Sequence, residues 1–81
     1  MNNWTIYILR CQDDSLYTGV TKDLDRRMKQ HNSGSGAKYT RAHRPCRLVW
    51  SQSGLSESGA KKEEARIKKL SKNEKEKYIS F

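Results

Sequence analysis

The sequence has few of the residues that mark metal-binding, secreted or membrane proteins. Its two cysteines, Cys11 and Cys46, lie far apart in the chain, with neither a Cys-x-x-Cys spacing nor paired histidines. This argues against a zinc site and favours reduced, partly buried thiols. No apolar run approaches the roughly 20 residues that span a bilayer, and no apolar segment of signal-peptide type follows the amino terminus. We therefore expect a cytoplasmic protein.

Large aliphatic residues and acidic residues are also scarce. Leu, Ile, Val and Phe number 13 of 81 residues, a content found in disordered chains, but the apolar residues of the first 50 positions fall in short patterned runs. The net charge of +8 favours an anionic partner, with nucleic acid first, a membrane surface second and solubility alone as the alternative. The length suits one domain, expected over residues 1–81 with its core at about 3–79.

The apolar pattern of the first half predicts a β-hairpin followed by a helix. Residues 4–10 carry apolar side chains on both faces, which is typical of a central strand, and turn residues 12–15 lead to a second strand over 16–20. Thr21 or Asp23 can cap a helix that places Arg27 and His31 on one side. Residues 32–36 end that helix, and residues 37–44 fit either a short basic helix or a loop.

The second half predicts one more strand and two helices. Residues 46–50 form the expected third strand, with one face made of Cys46, Leu48 and Trp50. A Ser- and Gly-rich joint over 51–59 precedes a helix whose apolar stripe contains Ala60, Glu64, Ile67 and Leu70. A capping box predicts that the last helix starts at Ser71. The fold class is therefore α/β (α+β).

Six polar or special residues fall where the pattern predicts an inward or shared face: Tyr7, Tyr17, Gly19, Arg27, His31 and Glu64. Each alone has an ordinary explanation. Tyrosines favour strands, Gly19 can relax a turn, and His31 near a helix end interacts with the helix dipole. Their order and spacing are more informative than any single residue.

In that order the six residues resemble the motifs of the GIY-YIG nuclease superfamily, in particular its small stand-alone bacterial members. Thr5-Ile6-Tyr7 stands where the first motif lies and Tyr17-Thr18-Gly19 at the second. Segment 23–31 is similar to the helix that carries the family's catalytic arginine, which falls on Arg27. Segment 63–71 is similar to the region of its metal-binding glutamate, which falls on Glu64. The resemblance implies a small three-stranded antiparallel sheet flanked by helices.

The resemblance also implies an endonuclease that hydrolyses phosphodiester bonds of nucleic acid, with a single Mg²⁺ or Mn²⁺ held by Glu64. We favour DNA over RNA as the substrate, and the sequence does not decide between them. The planar Arg27 guanidinium suits a phosphate. We assign Tyr7 as the base for the attacking water, Tyr17 to position water or phosphate, and His31 to orient a tyrosine hydroxyl; the two tyrosine roles are interchangeable. A phenolate at neutral pH needs its pKa depressed by about 3 units, for which the metal and Arg27 are the expected source.

Other basic residues are expected to contact the nucleic-acid backbone, with one aromatic residue among them: Lys38, Tyr39, Arg41, Arg44 and Arg47. The lysines of residues 61–77 either extend that surface or form weak pairs with the glutamates between them. Glu63, next to Glu64, is a second candidate metal ligand. Two other functions stay open: a non-catalytic nucleic-acid-binding module with the same fold, and a basic adaptor that docks an acidic protein partner.

Overall fold

The computed structural model describes residues 2–80 and contains a three-stranded sheet and four helices. In chain order the elements are β1 (Trp4–Cys11), β2 (Leu16–Thr21), α1 (Leu24–Ser33), α2 (Lys38–His43), β3 (Cys46–Leu55), α3 (Glu57–Lys68) and α4 (Lys72–Ile79). The strand order is β2-β1-β3, and both pairs are antiparallel. The predicted antiparallel sheet flanked by helices is confirmed. None of the helices described is long and apolar enough to cross a membrane.

β1 is the central strand because both of its faces are apolar. Tyr7 and Leu9 face one side, where residues of α1 pack against them. Ile6 and Ile8 face the other side and pack with Ile67 of α3. All five side chains are almost fully buried, and burial of each contributes on the order of 2 kcal/mol. The sheet therefore separates two small cores, with α1 on one face and α3 on the other.

β3 is longer than the sequence predicts. The expected joint over 51–59 is wrong in its first half, because the strand continues to Leu55, which pairs with Trp4 of β1. Residues 51–54 are exposed and polar since β3 is an edge strand, so no apolar alternation marks them. The joint is reduced to Ser56, which caps α3 by accepting a hydrogen bond from the Gly59 amide.

A β-bulge in β3 changes which face its side chains occupy. Leu9 pairs with Leu48 but Ile8 pairs with Trp50, so β3 has one extra residue at this point. Cys46 packs in the core on the α1 side, whereas Trp50 packs in the core on the α3 side, and Leu48 is exposed. The prediction that these three β3 residues share a face is therefore wrong.

The helix ends follow local chemistry. Asp23, one of the two predicted caps, accepts a hydrogen bond from the Arg26 amide, and α1 ends at Gly34, whose φ of 93° is in the left-handed region. The predicted capping box at Ser71 is present. The stretch 37–44, for which helix and loop both fitted, contains the helix α2.

α1 is fixed to the sheet at its C-terminal end by one side chain. The Asn32 amide nitrogen donates to the Cys46 carbonyl at 2.9 Å, and the Cys46 amide donates to Asn32 Oδ1 at 2.9 Å. This pair of bonds imitates a rung of a β-ladder. It holds α1, and with it Arg27 and His31, over the α1 face of the sheet.

Candidate active site

The predicted site residues of β1, β2 and α1 meet on one face of the sheet. Tyr7 is paired with Gly19 across the β1–β2 ladder, and Tyr17 lies two residues from Gly19 on the same face of β2. α1 packs on this face and carries Arg27 and His31, which are one helical turn apart. The hairpin and the following helix are therefore enough to bring these residues together.

Gly19 is needed because the Tyr7 side chain lies directly on its backbone. A Cβ at position 19 would be 2.5 Å from the Tyr7 hydroxyl oxygen and 2.7 Å from Cζ. It would also be 3.2 Å from a ring carbon of Tyr17. The glycine thus serves close packing of the Tyr7 phenol, and the turn that the sequence suggested is not its role.

His31 is completely buried and hydrogen-bonded at both ring nitrogens. Its Nε2 lies 2.8 Å from the Tyr7 hydroxyl, and its Nδ1 lies 2.7 Å from Thr40 Oγ1 in α2. The ring also makes edge contacts with the rings of Tyr7 and Tyr17, with centroids 5.8 and 5.5 Å away. Thr40 was not identified from the sequence, because nothing in its local pattern separates it from an ordinary helical threonine.

Burial and neighbouring charge set the protonation of this group. Burial lowers the pKa of His31 to about 4, and the positive charge of Arg27 acts in the same direction, so the imidazole is neutral at physiological pH. Burial raises the pKa of Tyr7 to about 12; Arg27 opposes this rise, while Tyr17 and Glu64 add to it. Without a metal, a phenolate at neutral pH is therefore harder to form at Tyr7 than the ordinary tyrosine pKa predicts.

Glu64 reaches the same site from α3. Its charge acts on the Tyr7 phenol, and its Oε2 lies 3.2 Å from Lys68 Nζ, one turn along the helix. The Lys68 ammonium also lies 6.0 Å from the centre of the Tyr17 ring. The sequence placed Lys68 only in a general group of surface lysines, although the i,i+4 spacing to Glu64 was a signal for this pair.

Glu63 is directed elsewhere. Its carboxylate pairs with Arg66 at 2.7 Å, and Arg66 in turn donates to the Tyr78 hydroxyl at 3.0 Å. Within residues 2–80 no group of three or more His, Cys, Asp or Glu side chains could hold a metal ion.

The predicted nucleic-acid contacts lie beside this site. Tyr39 of α2 stacks on Tyr17 with ring centroids 5.8 Å apart, and on its other neighbour, His43, at 4.2 Å. The four basic residues are all exposed, on α2, just after it and at the start of β3: Lys38, Arg41, Arg44 and Arg47. The aromatic stack thus connects the basic surface of α2 to Tyr17.

A second basic region, which no motif in the sequence marks, adjoins the N-terminal half of α1. A cleft of about 380 Å³ is lined by Trp4, Lys22, Arg26 and Arg27. The Lys22 ammonium lies 5.6 Å from the centre of the Trp4 ring. Arg27 therefore lies between this cleft and the buried Tyr7–His31 pair.

Comparison with known proteins gives matches over almost the whole chain. The family model described as the GIY-YIG catalytic domain matches residues 3–78. A UPF0213 protein of Bacillus velezensis is 47% identical over 78 residues, which is 96% of this chain and 79% of that protein. The solution NMR structure of a UPF0213 protein from Bacillus halodurans is 49% identical and has a TM-score of 0.63. The match covers 99% of this chain and 84% of the B. halodurans chain. A solution NMR structure of a protein from E. faecalis is 41% identical and has a TM-score of 0.65. The match covers 99% of this chain and 88% of the E. faecalis chain.

Proposed function

This chain belongs to the GIY-YIG family, and from that membership we propose that it is a divalent-metal-dependent endonuclease, with DNA as its expected substrate. The observation that carries the proposal is the buried hydrogen bond between Tyr7 and His31, with Arg27 and Glu64 acting on the same phenol. Packing of a structural tyrosine does not require a buried imidazole on its hydroxyl together with two charged side chains that act on the phenol. Groups with strongly perturbed pKa values concentrate at functional sites.

In the proposed reaction Tyr7 accepts a proton from the attacking water. As Tyr7 takes this proton, its own hydroxyl proton passes to His31 Nε2. The water oxygen forms a bond to phosphorus, the bond from phosphorus to the leaving oxygen breaks, and the leaving oxygen takes a proton from solvent. The 2.8 Å separation supports this transfer because it is a hydrogen-bond distance. Tyr17, on the same face, is placed to position the water or the phosphate.

Arg27 is suited to the phosphate. Its guanidinium is partly buried and donates a hydrogen bond to Gln30 Oε1 at 3.0 Å. The planar fork can contact two phosphate oxygens as negative charge develops on them. The adjoining cleft with Lys22 and Arg26 offers further contacts for the chain of phosphates on that side.

Glu64 is the residue that would hold the metal ion. A single carboxylate suits Mg²⁺ or Mn²⁺, which are commonly held by one or two carboxylates together with substrate phosphate and water. When bound, the ion supplies positive charge that stabilises the phosphate and lowers the pKa of nearby acids. Lys68 satisfies the Glu64 carboxylate in the protein alone, so its ammonium has to move aside for the ion.

The test is incubation of the purified protein with supercoiled, branched and single-stranded DNA, and with RNA, in Mg²⁺ or Mn²⁺. We expect cleavage that is lost in Glu64→Gln and in Arg27→Ala. Glu63→Gln is the matched control, because Glu63 is adjacent in sequence but engaged with Arg66. Cleavage that survives both site substitutions would contradict the mechanism.

A non-catalytic nucleic-acid-binding module is the second candidate. It is favoured by the Lys68–Glu64 ion pair, which occupies the proposed metal ligand, and by Val20, which stands where some family nucleases have a lysine. This alternative predicts binding that weakens steeply with salt but no cleavage of any of the four substrates in either metal.

A further inference from the structure

The hydrogen bonds that leave His31 run in one direction. Thr40 Oγ1 lies 3.0 Å from the Ala37 carbonyl oxygen and 2.7 Å from His31 Nδ1. A carbonyl oxygen can only accept, so in this contact Thr40 donates its single hydroxyl proton to Ala37, whose carbonyl also accepts from the Arg41 amide. The short contact between Thr40 and His31 is then a hydrogen bond only if Nδ1 carries a proton and donates it.

The other ring nitrogen follows from this assignment. In a neutral imidazole only one nitrogen carries hydrogen, so Nε2 is bare and accepts the proton of the Tyr7 hydroxyl. The ring is neutral because it is fully buried and close to the positive charge of Arg27. The chain of donors is Tyr7 to His31, His31 to Thr40, and Thr40 to the Ala37 carbonyl.

The surroundings of Nδ1 leave Thr40 as its partner. Both His31 and Thr40 are completely inaccessible to solvent. Gly36 closes the ring edge from another side, since a Cβ there would lie 2.6 Å from Nδ1 and 2.7 Å from His31 Cα. Solvent therefore cannot replace the Thr40 hydroxyl without local opening.

We propose that Thr40 is a positioning residue that fixes His31 as the Nδ1–H tautomer, so that Nε2 is free to receive the proton of Tyr7. The catalytic meaning of this assignment rests on the proposed function, but the tautomer itself does not. Without the Thr40 hydroxyl, a protonated Nδ1 is buried with no acceptor, and the proton is better placed on Nε2. Nε2 then faces Tyr7 as a donor and cannot take its proton.

The direct test is the ¹⁵N shift of both His31 ring nitrogens in long-range ¹H–¹⁵N spectra at neutral pH. We expect a protonated Nδ1 and a bare Nε2 in the unchanged protein and in Thr40→Ser, and a shift of the proton toward Nε2 in Thr40→Val. Thr18→Val is the matched control, because Thr18 is also buried but its hydroxyl has no hydrogen-bond partner within residues 2–80. It should leave the His31 signals unchanged.

A protonated Nε2 in the unchanged protein overturns the proposal, and so does a folded Thr40→Val that keeps the Nδ1–H tautomer. If Thr40→Val does not fold, the spectra of the unchanged protein and of Thr40→Ser decide. In the nuclease assay we expect kcat to fall about 100-fold in Thr40→Val with KM little changed, and to recover in Thr40→Ser. Absence of cleavage in every variant defeats the proposed function and leaves the tautomer assignment to the spectra.

Discussion

The two tyrosines of the site differ in environment. Tyr7 is buried with its hydroxyl bonded to His31, whereas Tyr17 is partly exposed, stacks on Tyr39 and lies under the Lys68 ammonium. We expect Tyr7→Phe to lower kcat by 100-fold or more, because it removes the proposed base and leaves His31 without a proton to accept. Tyr17→Phe should mainly raise KM. Steady-state kinetics on a DNA substrate measure both, and the opposite ranking of the two variants would reassign the base.

His31 also makes stability depend on pH. The imidazole binds a proton near pH 6.5 in the unfolded chain but only near pH 4 in the folded protein, so its contribution is complete above pH 6.5 and is lost as pH falls toward 4. The loss is of the order of 3 kcal/mol at most. Urea unfolding of the unchanged protein and of His31→Gln from pH 7 to 4 measures the difference. Parallel pH profiles for the two proteins would show that His31 does not titrate in this way.

At the scale of elements, the junction between α1 and β3 depends on Asn32. Asn32→Ala removes both bonds to the Cys46 backbone and leaves that backbone without its partner. We expect the free energy of unfolding to fall by about 1–3 kcal/mol. Asn73→Ala is the control, because this exposed asparagine lies in α4, away from the sheet junction, and its loss should change stability by less than about 0.5 kcal/mol. If both variants lower the free energy of unfolding equally in a urea titration, Asn32 does not stabilise the junction between α1 and β3.

Elements defined by local chemistry could be predicted from the sequence. The central strand follows from its two apolar faces, and the last helix follows from the capping box at Ser71. The end of β3 could not be predicted, because its polar residues are held in the strand only by pairing with β1. The bulge could not be predicted either, because it is defined only by the register of that pairing. The same holds for the site. The roles of Tyr7, Arg27 and Glu64 came from the family resemblance. The contact of Thr40 with His31 exists only once α2 packs on α1, and that of Lys68 with the Tyr17 ring only once α3 packs against the hairpin.

For the whole molecule, the question is whether its charge of +8 acts as a specific surface or as a diffuse field. The exposed residues around α2 lie next to the aromatic stack, so they should contact phosphates directly. We expect that changing Lys38, Arg41, Arg44 and Arg47 together to glutamine lowers the slope of log binding constant against log salt by up to about 4. The control changes the same number of charges on α3, α4 and the turn between them: Lys62, Lys69, Lys75 and Lys77.

The two variants carry the same net charge, so a diffuse field would affect them equally. If the surface around α2 is specific, the variant changed at Lys38, Arg41, Arg44 and Arg47 should lose more affinity than the control variant, and its salt dependence should fall more. Binding is measured by fluorescence anisotropy on a labelled DNA over a range of salt, under conditions without divalent ions so that no cleavage interferes. If the two variants show the same salt dependence, the four residues around α2 make no specific contacts with phosphates.

The central position of β1 in the sheet has a consequence for how the protein unfolds. Tyr7 lies in the middle of β1, which pairs with β2 on one edge and with β3 on the other. Its backbone is therefore covered by a strand on each side. Local fluctuations that fray an edge strand or a terminal helix leave that backbone covered, and only cooperative loss of the sheet releases it. The Tyr7 phenol is thus attached to the last part of the chain to open, and heat should abolish any activity and the tertiary order in a single step.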